Sequence, residues 1–234
     1  MAETHSIKVI ARLCSDFATK FGVPRQSGLV DELRSTVVFE PEYRNADAVR
    51  GLEEFSHIWL VWQFSGAVRE DWSPTVRPPR LGGNKRIGVF ATRSPFRPNA
   101  LGLSSVRLER IEYDSTLGPV LHVAGADLMD GTPIYDIKPY IAYADSHSDA
   151  SGGFVDAVER KILTVDCPEE LMSRVPEGKR SALLGVLAQD PRPSYQEDPE
   201  RVYGMEFAGV EVKFRVEGER LTVCNVEKAG STRH

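Results

Sequence analysis

The fold of this chain is constrained most by a succession of short apolar stretches separated by turn residues: Ile7–Ile10, Ser35–Phe39, Ile58–Trp62, Ile87–Ala91, Leu103–Leu108, Ile111–Tyr113 and Val120–Ala124. Each is rich in β-branched or aromatic side chains and bounded by glycine, proline or aspartate, as strands are. Long helical periods do not intervene, which argues against strands joined by crossover helices. Seven or so short strands of this kind are expected to form one closed or nearly closed sheet. The fold class is therefore mainly β: a single-sheeted β-barrel of about seven strands, with a helical turn expected at Gly51–Phe55.

The last third has a different pattern. Residues 146–153 read SHSDASGG, a polar run of the kind found at domain boundaries, and they place a boundary near residue 150. Residues 1–150 are then the barrel and residues 151–234 a small α+β C-terminal domain. In the latter, Pro168–Arg174 and Glu177–Leu187 are expected to be helical, the second with Leu183, Leu184 and Leu187 on one side and a stop at Pro191. Val210, Val212, Phe214 and Val216 alternate with charged residues, turn at Glu217-Gly218-Glu219 and return through Leu221 and Val223 as a hairpin.

Charge is distributed unevenly. Between Pro74 and Arg107 there are seven basic side chains (Arg77, Arg80, Lys85, Arg86, Arg93, Arg97, Arg107) and no acidic one, in a chain of net charge −5. The rest of the molecule therefore carries about −12 around a basic island. Arginine pairs with phosphate or carboxylate through two parallel hydrogen bonds, so RNA, nucleotides and carboxylate-bearing small molecules are the expected ligand classes. Nonspecific wrapping of nucleic acid by the whole chain is not expected.

At 234 residues the chain can bury one substantial core, or one core and a small satellite. It has no apolar run near the roughly 20 residues that span a bilayer, and the start MAETHSIKV does not have the layout of a secretion signal. A cytoplasmic protein without membrane attachment is expected. Cys14, Cys167 and Cys224 lie far apart, against a disulfide scaffold or zinc site, and the five histidines are isolated, so no metal is expected.

Dinucleotide-binding glycine patterns, phosphate loops and zinc-protease or hydrolase signatures are missing. Three polar segments remain. In FGVPRQSG, from Phe21 to Gly28, Gly and Pro fix a loop that offers the Arg25 fork and the Gln26 amide. From Gly88 to Leu103 a strand runs into a proline-braced loop holding Arg93 and Arg97 beside Phe96, a mixture suited to anions and to stacking on an RNA base. In DLMDGTPIYDIKPY, from Asp127 to Tyr140, a turn precedes an extended run in which Asp136 and Lys138 point to one side, either as a surface ion pair or to orient a substrate.

Taken together, FGVPRQSGLV, NADAVRGLEEFSHIW, PTVRPPRLGGNKRIGVFATRSPFRPNALGLS, DLMDGTPIYDIKPY and LAQDPRPSY give a chain that closely resembles the TsaA-like family, in family order from Phe21 to Tyr195. The resemblance implies a β-barrel methyltransferase that uses S-adenosyl-L-methionine. It further implies methylation of the N6 nitrogen of threonylcarbamoyladenosine, next to the anticodon of tRNA, by a homodimer.

By the same resemblance the cofactor is expected to meet Pro24, Arg25, Gln26, Arg93 and the turn of Leu128, Met129, Asp130, Gly131 and Thr132, with Ser65, Gly66 and Ser105 as further contacts. Asp136 and Tyr140 are the candidates for orienting the acceptor or taking its proton, and Lys138 or Arg97 for pairing the threonyl carboxylate or a phosphate. The tRNA anticodon loop is expected at Arg77, Arg80, Lys85, Arg86, Phe96 and Arg97, and at Arg192 and Tyr195 if the tail folds back to the site. A noncatalytic RNA-binding barrel or an S-adenosylmethionine-sensing barrel is the competing reading.

Overall fold

The computed structural model describes residues 3–67, 72–78, 85–157, 161–193 and 198–230. In chain order the strands of the first unit are β1 (Ala11–Cys14), β2 (Arg34–Phe39), β3 (His57–Gln63), β4 (Thr75–Val76), β5 (Ile87–Gly88), β6 (Leu101–Asp114), β7 (Gly118–Ala124) and β8 (Pro133–Pro139). Six of them close into a barrel in the order β1-β2-β7-β6-β3-β8, every neighbour antiparallel. Alternation drives the closure: Leu13, Val37, Ile58, Leu60, Val106, Leu121, Val123 and Ile134 all point inward and are almost completely buried.

The expected count of about seven strands becomes six for identifiable reasons. Ile7–Ile10 precedes the first strand instead of forming one. Ile87 and Gly88 pair only with Thr75 and Val76 in a separate ribbon, and Val89–Ala91 is a 3-10 turn. The two stretches at 103–108 and 111–113 are parts of one 14-residue strand. A register shift between Leu108 and Arg110 interrupts the alternation there, as a bulge does. Pro133–Pro139 supplies the closing strand, pairing with both β1 and β3. The expected helical turn is the 3-10 turn Leu52–Glu54.

The second unit is a four-stranded sheet, β10 (Tyr203–Phe207), β11 (Val210–Glu217) and β12 (Arg220–Lys228) in a meander, with β9 (Thr164–Asp166) added parallel to β12. After α1 (Ala142–Asp145), helices α2 (Glu169–Met172) and α3 (Arg180–Ala188) complete the described helices. The sheet packs on α3 through Ala182, Leu183, Val186 and Leu187. Leu184 lies off that face and is exposed, because consecutive helical residues point about 100° apart.

Residues Phe17 to Leu33, although early in the chain, join the second core. Phe17, Val30 and Leu33 belong to its buried cluster and Phe21, Val23 and Leu29 pack against it. Phe17 meets Phe207 edge-on at 5.3 Å. Gly22 has φ 93°, and a Cβ there would run into the Met205 sulfur. That backbone needs glycine on both counts.

Candidate cofactor site

The loop Val23–Gly28 leaves this second core and lies against the connection between β7 and β8. Gly28 N donates to Gly125 O at 2.9 Å. Both glycines have positive φ, 73° and 74°, and a Cβ on Gly125 would sit 3.3 Å from the Gly28 backbone. The connection is fastened to β1 and the residue after it: Gly131 N donates to Leu13 O at 2.8 Å and Asp130 Oδ1 accepts from Ser15 N at 3.0 Å, while within the turn Thr132 Oγ1 donates to Met129 O at 2.7 Å. Asp130 and Gly131 therefore serve the turn itself, while Leu128, Met129 and Thr132 face a cavity.

A third wall comes from the loop after β5. Thr92 Oγ1 donates to Val89 O at 2.8 Å and accepts from Ser94 N at 3.2 Å, and Ser94 Oγ accepts from Phe96 N at 3.2 Å. Arg97 Nη1 donates back to Thr92 O and Ser94 O at 3.0 and 3.3 Å, so its guanidinium braces its own loop. Arg93 instead reaches across and donates from Nη1 to Gln26 Oε1. Two segments 67 residues apart in sequence meet through that bond.

These walls enclose about 800 Å³. Pro24, Arg25, Gln26, Ser65, Gly66, Arg93, Phe96, Arg97, Leu128, Met129 and Thr132, eleven of the expected site residues, line it. Four cationic side chains, Lys20, Arg25, Arg93 and Arg97, stand on the lining with a single carboxylate among the described lining residues, Asp127. Burial pushes the Asp127 carboxyl above the ordinary carboxylate range, against the opposing pull of the Ser104 hydroxyl, its own and Ser27's backbone N–H, and the Arg93 charge.

Asp127 is held from inside the barrel. Trp62 Nε1 donates to Ser104 Oγ at 3.0 Å, and Ser104 Oγ donates to Asp127 Oδ1 at 2.6 Å. Ser104 is 1 % exposed, so each partner of this chain replaces water. Trp62 fits only because Gly102 stands opposite it on β6, where a Cβ would run into the indole. Asp127, Ser104, Trp62 and Gly102 were not among the expected site residues. Asp127 heads the matched DLMDGTP block, and only the fold reveals that its side chain enters the cavity.

The other expected residues lie elsewhere. Ser105 pairs with Trp59 in register but faces the opposite side of β6 from Ser104 and is not on the cavity lining. Asp136 Oδ2 and Lys138 Nζ form an ion pair at 2.9 Å, both substantially exposed, which is the same-side placement expected of period-two alternation. Tyr140 packs on Trp59 at 5.6 Å and on His57 at 6.2 Å. Asp136, Lys138 and Tyr140 thus stand outside the cavity lining, with Trp59, which is on it, beside Tyr140.

Arg77, Lys85 and Arg86 are exposed on or beside the β4–β5 ribbon, with Arg86 Nη1 on Thr75 Oγ1 at 3.0 Å. Arg192 closes its guanidinium on Asp190, and its carbonyl accepts from Arg25 Nη2 at 3.3 Å. Arg80 and Tyr195 lie outside the described residues. Among the described residues no three His, Cys, Asp or Glu side chains are grouped to hold a metal ion.

Comparison with known proteins agrees with this architecture on both units. The pattern of the tRNA-methyltransferase O N-terminal domain matches residues 12–146, and that of the TrmO C-terminal domain matches residues 161–229. A tRNA (adenine(37)-N6)-methyltransferase of Escherichia coli is 42 % identical over 223 residues, covering 91 % of this chain and 94 % of that protein. One of the same description from Eikenella corrodens is 51 % identical over 164 residues, 70 % of this chain and 92 % of its own. The crystal structure of TrmO from Pseudomonas aeruginosa superposes with a TM-score of 0.78 at 34 % identity, covering 96 % of this chain and 99 % of that one. With both domain patterns matched in order and the barrel and second sheet present in the fold, the chain belongs to the tRNA-methyltransferase O (TrmO) family.

Proposed function

We propose that this protein is an S-adenosylmethionine-dependent tRNA (adenine-N6)-methyltransferase whose acceptor is the N6 nitrogen of threonylcarbamoyladenosine beside the anticodon. The observation that carries it is the junction of the Pro24–Gln26 loop, Arg93 and the Leu128–Thr132 turn around one cavity, in a chain alike along nearly its whole length to a tRNA (adenine(37)-N6)-methyltransferase.

The residues present fit the cofactor. A cavity of about 800 Å³ lies within the range that takes a molecule of drug or nucleoside size, roughly 300–1,000 Å³. Leu128, Met129, Phe64 and Trp62 offer apolar walls to a purine, Arg25 and Arg93 forks to a carboxylate, and Asp127 a negative charge to a cation. S-adenosylmethionine, when bound, supplies a methyl group on a positively charged sulfur, already electrophilic.

The chain's task is then to orient, exclude water and take a proton. Asp127, withdrawn from water and held by Ser104, meets the cofactor's positive charge. Asp136 and Tyr140, which stand outside the cavity lining, are proposed to orient the acceptor and take its proton, while Lys138 and the exposed Arg77, Lys85 and Arg86 meet the threonyl carboxylate and phosphates. Arg80 and Tyr195 keep the same proposed contact with the anticodon loop, and Ser105 a main-chain contact near the cofactor.

A homodimer completes the proposal. Phe90 and Leu103, 72 % and 56 % exposed, lie on the cavity lining, so the mouth of the site presents apolar surface of the kind a second copy covers. The division near residue 150 and a cytoplasmic location are proposed with it. No helix of the described residues is long and apolar enough to cross a membrane.

Mass spectrometry of tRNA from cells lacking the protein tests the function. The expected result is loss of one methyl group from the threonylcarbamoyladenosine nucleoside, restored by the gene. An unchanged nucleoside profile would remove the assignment.

A further inference from the structure

The matched block LAQDPRPSY lies in the second unit, outside the barrel, and the proposed chemistry gives its described residues no task. Its described residues form a bracket. Asp190 takes the left-handed conformation, φ 51°, just after α3, where its N donates to Leu187 O at 3.2 Å. A residue with a Cβ holds that conformation only when its surroundings compensate.

The compensation is Arg192. Asp190 Oδ1 accepts from Arg192 Nε at 2.8 Å and from Arg192 N at 3.3 Å, and Oδ2 accepts from Nη2 at 2.9 Å. The two side chains are only 26 % and 13 % exposed, so this two-pronged pair is largely shielded from water. Pro191 and Pro193 restrict the backbone on either side of Arg192. The peptide carbonyl of Arg192 is thereby aimed, and it receives Arg25 Nη2 at 3.3 Å.

Arg25 sits on the loop that closes one wall of the cavity, and its flanks are already packed into the second core through Phe21, Val23, Leu29 and Val30. We infer that Asp190 and Arg192 are positioning residues for cofactor binding: the C-terminal unit mounts the Arg25 loop, and the Asp190–Arg192 bracket sets the direction of the Arg25 guanidinium. Arg192 acts through its carbonyl on Arg25 and not as a direct grip on RNA. The inference rests on the reading of the cavity as the S-adenosylmethionine site.

The test is a double-mutant cycle in the full-length protein, with S-adenosylmethionine affinity measured by calorimetry and tRNA affinity measured separately. One net hydrogen bond of about 0.5–1.5 kcal/mol corresponds to roughly 2- to 12-fold in Kd. Arg192→Ala is expected to raise the S-adenosylmethionine Kd by that factor, leave the tRNA Kd unchanged, and add nothing in an Arg25→Ala background. Backbone amides of Arg25 to Gly28 in the cofactor-free protein are expected to exchange hydrogen faster in Arg192→Ala. Should Arg192→Ala not fold, Asp190→Asn and Arg192→Lys carry the same measurements, with smaller effects in the same direction. An unchanged cofactor Kd, an effect that adds in full to Arg25→Ala, or a loss confined to tRNA binding overturns the inference while leaving the function intact. Failure of the unaltered protein to bind S-adenosylmethionine overturns both.

Discussion

Ser104 Oγ lies 2.6 Å from Asp127 Oδ1 and accepts, on its other side, the indole N–H of Trp62. One barrel-interior hydroxyl thus connects a core tryptophan to the only carboxylate on the described cavity lining. Replacing it by Ser104→Ala leaves the Trp62 N–H buried without its partner and Asp127 with one donor fewer. An unmet buried group costs about 1–3 kcal/mol, so chemical denaturation should show a loss of that size together with weaker S-adenosylmethionine binding.

Asp127→Asn keeps the shape and an acceptor for Ser104 but removes the charge. If Asp127 meets the sulfonium charge, the S-adenosylmethionine Kd should rise about 10- to 100-fold, roughly the 1.5–3 kcal/mol coulombic worth of a partly shielded charge pair. The neutral demethylated product should lose less affinity than the cofactor. Equal losses for the two ligands would show that Asp127 does not read the sulfur's charge.

The same substitution has a consequence for stability. Burial raises the Asp127 carboxyl in the folded state, so the folded form binds its proton more tightly than the unfolded chain. Its contribution is fully favourable below the unfolded value, about 3.9, and is lost as pH rises through the folded value. Asp127→Asn should therefore be relatively more stable than the native protein at pH 7 than at pH 4, read as the difference between the two melting temperatures across that range. A difference that shrinks with rising pH would contradict this.

Gly102→Ala tests the Trp62 packing. The added methyl meets the indole on the neighbouring strand, and overpacking of this kind typically costs about 1–3 kcal/mol. Thermal denaturation should show the loss, and Trp62→Phe combined with Gly102→Ala should recover part of it by trimming the ring.

Much of this was legible in the sequence, for reasons that differ by element. Strands such as His57–Gln63 declare themselves because one face is buried and the other is not, so Ile58, Leu60 and Trp62 alternate with half-exposed neighbours. Ile87–Ala91 is similarly apolar, yet its backbone pairs for only two residues, in a ribbon outside the barrel, and then turns to build the cavity loop. Local propensity does not register that departure. Pro24, Arg25, Gln26 and Arg93 could be found from motif blocks, whereas Asp127 needed the pleat of β6 and the docking of the Gly28 loop on Gly125 to be brought inside. Asp136 and Lys138 were rightly put on one side of their strand, but which side faces the cavity depends on barrel closure and not on alternation.

The most direct measurement is transfer of labelled methyl from S-adenosylmethionine to purified tRNA bearing or lacking the threonylcarbamoyl group on the adenosine beside the anticodon. One labelled methyl per modified tRNA is expected, located on that nucleoside, and little or none on tRNA without the group. No label in either tRNA despite measurable cofactor binding, or equal label in both, would contradict it.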